Sequence, residues 1–327
     1  MGEVVNIATL AESASDKLFT TFGWQIGGIK DENFPCVNQT KHQKKTAKTH
    51  PVDCVFSYND PYTEHRHFLL CDLKSYAAST MDSTDFKPYL QGLAKAAECA
   101  QVETTWKGRY VDSSISAYSV DGFLFVYNHD GDYKKDFSKK GRNFMPSSLQ
   151  GAMGSRVHLM GPDTINRLQS IAHDLKARCT DHDLDYNTRK FFYPQQPLKM
   201  PAASHLDSAD IETLRGRRII VRLQHREDPK KISYFVYLHS ESSVEAIEYL
   251  ITFLYKNRIV EDAAEVIIVG IGMRAEAQVD FNNAKKQFLE RHFGMLELSR
   301  SLEKISLTRL TMVAEVFCSV DEATLRS

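Results

Sequence analysis

The sequence lacks long apolar runs and has few cysteines. No apolar stretch approaches the roughly 20 residues that a helix needs to cross a bilayer, so no membrane association is expected. The first residues, MGEVVNIATL, lack the basic segment followed by an apolar segment that marks a secretory signal. The six cysteines are scattered along 327 residues. This scatter favours reduced thiols and a cytoplasmic location over a disulfide framework.

The sequence also lacks an excess of either charge. The chain has 41 Lys and Arg residues and 42 Asp and Glu residues, so its net charge does not indicate a class of binding partner. Basic runs nevertheless occur at residues 41–50 (KHQKKTAKTH), 133–142 (YKKDFSKKGR) and 215–218 (RGRR). Separated basic runs on a neutral protein can form a phosphate-binding surface, although solvated loops explain any single run as well. The predicted DNA-backbone contacts are Lys41, Lys44, Lys45, Lys48, Lys139 and Lys140.

No G-x-x-x-x-G-K-[ST] loop occurs, so this chain alone is not expected to be a P-loop ATPase. The segment VGIGM, residues 269–273, has two glycines after an apolar strand pattern but lacks the third glycine of a dinucleotide-binding loop. A nucleotide-binding α/β enzyme using this segment is therefore the weakest of the alternatives.

Helix and strand patterns alternate along the chain and predict an α/β protein. Apolar residues at every fourth position predict a helix from about residue 7 to residue 22. Residues 52–58 and 66–74 predict a hairpin across the turn NDPYTEH. A helix, which Ser83 or Thr84 would cap, and an apolar strand at 122–128 follow.

A proline-containing polar segment divides the chain. Residues 193–210 carry three of the ten prolines, after which strand and helix patterns begin again. We predict a first domain at residues 1–190, a linker or long loop at 191–212, and a C-terminal α/β module at 213–327. The module would serve dimerisation or partner binding.

The returning strand of the hairpin ends in the charged sequence D-L-K, Asp72 to Lys74. A turn centred between Tyr62 and Thr63 places Asp53 opposite Asp72, with Lys74 on the same side. Opposed like charges destabilise a strand pair unless a cation lies between them. Lys74 could supply that cation as an ordinary salt bridge. The same groups also suit Mg²⁺-assisted phosphodiester hydrolysis.

This pattern resembles the PD-(D/E)xK nuclease superfamily, which includes restriction endonucleases, resolvases and repair and defence nucleases. Val52 stands where the motif has proline. The resemblance implies a restriction-endonuclease-like αβββαβ core with a mixed sheet. It also implies Mg²⁺, with Mn²⁺ as a substitute, held by Asp53 and Asp72 together with Glu12 and the backbone carbonyl of Leu73. Lys74 would position or deprotonate the attacking water, or balance the charge on the phosphate.

The expected function is thus a metal-dependent DNA nuclease of low intrinsic sequence specificity. The resemblance further implies a role in anti-phage defence, as a homodimer or in a complex with a partner subunit. The alternative is a non-catalytic nucleic-acid-binding or assembly subunit on the same fold, in which the acids are structural.

Cysteine and histidine residues raise two further possibilities. Cys36, His42, His50 and Cys54 offer zinc-type donors, but they lack the close cysteine pair of structural zinc sites. Cys54 lies on an apolar strand face, so a core cysteine is favoured. The histidines of the HRH sequence at residues 65–67 are interpreted as a surface pair.

Overall fold

The computed structural model describes residues 2–42, 48–63, 65–137, 139–140, 156–201, 203–239, 243–292 and 296–312. The chain divides into two compact units, of which the first ends its main segment at Gln169 and the second begins at Ser170. This boundary lies earlier than the predicted domain end at residue 190. No helix in the described part of the chain is long and apolar enough to cross a membrane.

The first unit combines helices with one main sheet and a short two-stranded ribbon. Its helices are α1 (Gly2–Thr21), α2 (Ala78–Ser83), α3 (Lys87–Ala100) and α4 (Thr104–Tyr110). Its strands are β1 (Gln25–Ile26), β2 (Phe34–Pro35), β3 (Thr49–His50), β4 (Cys54–Asn59), β5 (Arg66–Tyr76), β6 (Tyr118–Asn128) and β7 (Val157–Met160). Helix α5 (Pro162–Asp181) crosses the unit boundary.

The main sheet is mixed, as predicted. Its strand order is β1-β4-β5-β6-β7, and β2 pairs with β3 in the ribbon. Strand β4 is antiparallel to β1 and β5, whereas β6 is parallel to β5 and β7. Phe56 lies opposite Leu69 in the β4–β5 hairpin. The predicted register of the hairpin is therefore confirmed.

Helices cover both faces of this sheet. Phe19 of α1 stacks on Trp24 at 4.3 Å between ring centroids and meets Phe56 edge-on at 5.1 Å. Leu70 on the other face belongs to a buried core that includes Leu93 of α3. Because successive strand residues point to opposite faces, Asp72 and Lys74 lie on the α3 face with Leu70.

Helix α3 begins later than predicted. Ser83 ends α2, and α3 begins at Lys87 after Phe86, with Pro88 in the first turn. Proline is tolerated there because the first amide groups of a helix have no intrahelical acceptor. The predicted cap by Ser83 or Thr84 is therefore wrong, since Thr84 is the C-cap of α2.

The second unit contains a six-stranded sheet. Its strands are β8 (Leu184–Phe192), β9 (His205–Leu206), β10 (Arg218–His225), β11 (Ile232–His239), β12 (Glu265–Ile271) and β13 (Ile305–Leu310). Their order in the sheet is β13-β12-β11-β10-β8-β9. Its helices are α6 (Ile211–Arg215), α7 (Val244–Lys256), α8 (Ile259–Asp262), α9 (Ala277–Arg291) and α10 (Leu296–Glu303). Strands β10 and β11 form an antiparallel hairpin.

Two glycines of the VGIGM segment have structural roles at the end of β12. A Cβ atom at Gly270 would lie 2.1 Å from the Met273 sulfur. Gly272 has φ +66°, which side chains disfavour. Packing and backbone conformation therefore explain these glycines without a bound nucleotide.

Candidate active site

The predicted carboxylates meet at the end of the β4–β5 hairpin that is opposite its turn. Cys54 pairs with Cys71, and the Asp53 N–H donates to the Cys71 carbonyl at 3.2 Å. The next position in this register places Asp53 beside Asp72. Cys54 thus lies in the sheet, where it is fully buried, as the core interpretation predicted.

Hydrogen bonds and an ion pair hold the three motif residues together. The backbone N–H of Leu73 donates to Oδ2 of Asp53 at 2.7 Å. The Lys74 ammonium pairs with Oδ1 of Asp72. Lys74 also lies 5.3 Å from the centre of the Tyr89 ring, which α3 supplies. One end of the hairpin thus presents two carboxylates and one ammonium on the α3 face.

The Asp53 carboxyl group is buried beside a like charge, which disfavours its ionised form. Its pKa is raised to about 6, chiefly by burial and also by the negative charge of Asp72, against the lowering effect of the hydrogen bond from Leu73. The Lys74 charge acts in the opposite direction but does not cancel these effects. A perturbed carboxyl beside a like charge is typical of sites that bind a cation or a proton.

At Lys74, the nearby negative charges outweigh the effect of burial on the pKa. Burial lowers its pKa, but the negative charges of Asp72 and Asp53 outweigh burial and the pKa is raised. Lys74 therefore remains an ammonium group at neutral pH.

Glu12 is not joined to this pair by any described contact. Its carboxylate lies 2.5 Å from the Lys30 ammonium, which also binds Asp16 at 2.8 Å. The neighbouring Asp31 donates its backbone N–H to the Asp53 carbonyl at 2.9 Å. Lys30 and Asp31 thus connect α1 to the start of β4. Metal ligation by Glu12 stays a prediction.

Tyr89, Lys30 and Asp31 are site neighbours that the sequence did not indicate. Tyr89 precedes an apolar helical stripe and follows the DLK motif by 15 positions in the chain. Only its position in the first turn of α3 brings it to Lys74. Lys30 and Asp31 lie in a polar stretch without a motif.

The predicted DNA-contact lysines differ in their surroundings. Lys48 and Lys139 are exposed. Lys41 pairs with Glu98. Lys140 donates to the backbone carbonyls of Met81 and, at 2.8 Å, of Asp82, so its ammonium caps the end of α2. Lys44 and Lys45 lie outside the described residues.

The predicted surface pair of histidines is wrong for His67. This side chain is 2% exposed and lies 3.2 Å from Asp121, which also contacts His158 and Arg156 at 3.1 Å. Although burial by itself would raise the pKa of Asp121, hydrogen bonds from His158 and His67 hold it below its usual range. Because Arg156 already supplies a positive charge, we interpret this cluster as a structural network.

Comparisons with known proteins give one family match. The model of a family described as "GAPS4 protein PD-(D/E)XK nuclease domain" matches residues 1–164. A comparison with curated proteins found no significant match. Among solved structures, the central domain of yeast acetyl-CoA carboxylase aligns with 9% identity and a TM-score of 0.27, covering 89% of this chain and 44% of that chain. A TM-score this low does not bear on the fold of the chain.

Proposed function

Because the chain belongs to the GAPS4 PD-(D/E)XK nuclease domain family, we propose that it is a nuclease that hydrolyses DNA phosphodiester bonds with Mg²⁺ or Mn²⁺. The observation that carries the proposal is the meeting of Asp53, Asp72 and Lys74 at one end of the hairpin. The family match supports nuclease chemistry, and the side chains support a divalent cation.

The residues present fit a hard divalent cation. Asp53 and Asp72 would hold it with the backbone carbonyl of Leu73, a set of oxygen donors that suits Mg²⁺. The Asp53 carboxylate is buried beside the like charge of Asp72, and a bound cation would offset both the burial and the repulsion. When bound, the ion supplies charge that polarises the scissile phosphate and acidifies a water molecule.

Lys74 then acts as a charged donor. As an ammonium group, Lys74 would position a water molecule or a phosphate oxygen through N–H donation. Asp72 and the Tyr89 ring restrict the ammonium to this end of the hairpin. An ammonium held in place stabilises negative charge that develops in the transition state.

The proposal includes the biological setting that the sequence predicted. Exposed lysines would hold the DNA backbone without reading bases, which gives low sequence specificity. A single hydrolytic site cuts one strand at a time, so a second copy of the chain or a partner subunit would complete a double-strand break. The family to which the chain belongs is an anti-phage defence family, which supports such a role for this chain.

The basic residues give a prediction about DNA binding. We expect Lys48→Ala and Lys139→Ala each to weaken binding uniformly across sequences and to reduce the slope of log K against log salt by about 0.9. Lys140→Ala should instead lower thermal stability, because its ammonium caps α2. Fluorescence anisotropy across a salt series and thermal unfolding measure the two effects. An unchanged salt slope in both exposed-lysine variants would show that the DNA path lies elsewhere.

The activity itself is tested with the full-length protein. Supercoiled and linear DNA are incubated with Mg²⁺, with Mn²⁺ or with EDTA, alone and with proteins that co-purify with the chain. We expect metal-dependent nicking or cutting that EDTA stops. Cutting that continues in EDTA would contradict metal-dependent hydrolysis. Salt-sensitive binding without cutting under every condition would support the non-catalytic alternative instead.

A further inference from the structure

Four buried side chains with sulfur or nitrogen donors meet beside the β2–β3 ribbon. Cys36 directly follows β2, His42 lies in the next loop, His50 ends β3, and Cys99 lies in the last turn of α3. None is more than 3% exposed. One donor atom from each lies within 4.8 Å of the others. Two cysteines and two histidines therefore share one small buried volume.

The separations among three of the donors, those of Cys36, His42 and Cys99, match tetrahedral coordination. Zinc bonds of about 2.3 Å to sulfur and about 2.0 Å to nitrogen, at tetrahedral angles, place two sulfurs about 3.8 Å apart and a sulfur and a nitrogen about 3.5 Å apart. The Cys36 and Cys99 sulfurs are 3.8 Å apart. The His42 Nδ1 atom is 3.3 Å from the Cys36 sulfur and 3.5 Å from the Cys99 sulfur.

The second nitrogen of His42 has a partner of the kind that supports a metal ligand. Its Nε2 atom lies 3.4 Å from a Glu98 carboxylate oxygen, and Glu98 also pairs with Lys41. A carboxylate on the far nitrogen of a ligating histidine orients the ring and fixes its tautomer. With Nε2 directed at Glu98, Nδ1 is the nitrogen available to a cation.

We propose that Cys36, His42, His50 and Cys99 form a structural Zn²⁺ site. The geometry corrects the sequence-based donor set in one position, because Cys99 takes the place of Cys54. The site would join the loop residue His42 to α3, and the Lys95 ammonium of α3 also donates to the His42 carbonyl at 3.4 Å. The ion would be structural, since four protein ligands leave no open position.

The same residues could instead form a hydrogen-bonded cluster without metal. Burial raises the pKa of the Cys99 thiol to about 11 when no cation is present. The two cysteines are also near enough to form a disulfide if the protein is oxidised. Both alternatives predict a protein that binds no zinc.

The first test uses the wild-type chain, purified under reducing conditions without a metal-affinity column. Elemental analysis should find one zinc per chain that survives dialysis against a weak chelator. Exchange for Co²⁺ should give the intense visible bands of a tetrahedral ion. It should also give a sulfur-to-cobalt charge-transfer band whose absorption coefficient corresponds to two thiolate ligands. Absence of zinc, failure to bind added Zn²⁺, or a spectrum without sulfur ligands would overturn the proposal.

The second test assigns the ligands. Cys36→Ser and Cys99→Ser should lose the zinc, whereas Cys54→Ser, a matched buried cysteine, should keep it. Removing the zinc with a strong chelator should lower the melting temperature by roughly 5 to 15 °C, reversed by Zn²⁺ and not by Mg²⁺. Zinc retained in both ligand variants, or lost only in Cys54→Ser, would overturn the assignment. Because these readouts do not involve cleavage, they are independent of the proposed nuclease function.

Discussion

Asp72→Asn and Lys74→Ala will each reduce Mg²⁺-dependent DNA cleavage by about 10²- to 10³-fold. Asp72 contributes a carboxylate that a divalent ion requires, and it also holds Lys74. In the proposed mechanism, Lys74 would contribute a fixed positive charge beside the scissile phosphate. The measurement is the initial rate of nicking of supercoiled DNA at saturating Mg²⁺.

Matched controls separate loss of chemistry from loss of fold. Asp132 and Lys107 are exposed residues of the same unit, so Asp132→Asn and Lys107→Ala should cut at the wild-type rate. All variants should retain salt-sensitive DNA binding. Full cleavage by both Asp72→Asn and Lys74→Ala would show that the hairpin is an ordinary charged edge and that the chemistry lies elsewhere.

Asp53→Asn will abolish cleavage and at the same time stabilise the fold by about 1 to 2 kcal/mol at pH 8 in buffer without Mg²⁺. Asparagine can still accept the hydrogen bond from the Leu73 N–H but carries no charge in a buried position next to Asp72. Stability is therefore expected to rise as activity is lost, which is typical of a strained functional group.

The raised pKa of Asp53 determines how its effect on the free energy of unfolding changes with pH. The pKa of Asp53 is about 6 in the folded chain against an ordinary value of 3.8. Between these values the folded state holds a proton that the unfolded state has released, so the free energy of unfolding falls as the pH rises towards 6. The advantage of Asp53→Asn should thus grow from about pH 4 to pH 6 and then level off.

Denaturant unfolding measures the free energy of unfolding of the wild type and of Asp53→Asn across this pH range. Asp132→Asn is the control and should follow the wild type. Addition of Mg²⁺ should stabilise the wild type and leave Asp53→Asn unchanged, because ligand binding to the folded state alone adds stability. Equal stability of the two proteins at pH 8 would contradict the buried-charge explanation.

Local pattern was sufficient for most of the secondary structure and for the motif. The alternation at residues 52–58 and 66–74 and the turn between them predicted both strands and the position of Asp53 beside Asp72. This succeeded because the period of a strand and the centre of a turn together determine a hairpin register. The apolar repeat likewise predicted α1: Ala14 and Leu18 in the helix, and Phe22 directly after it, are buried.

Contacts between distant segments could not be predicted from these patterns. The α/β class, the hairpin and the Asp72–Lys74 pair were predictable because each depends on residues close together in the chain. The pairing of Glu12 with Lys30 and the approach of Cys99 to Cys36 became visible only in three dimensions. Packing of helices on the sheet sets those distances, and no local period records which helix residue will face which loop.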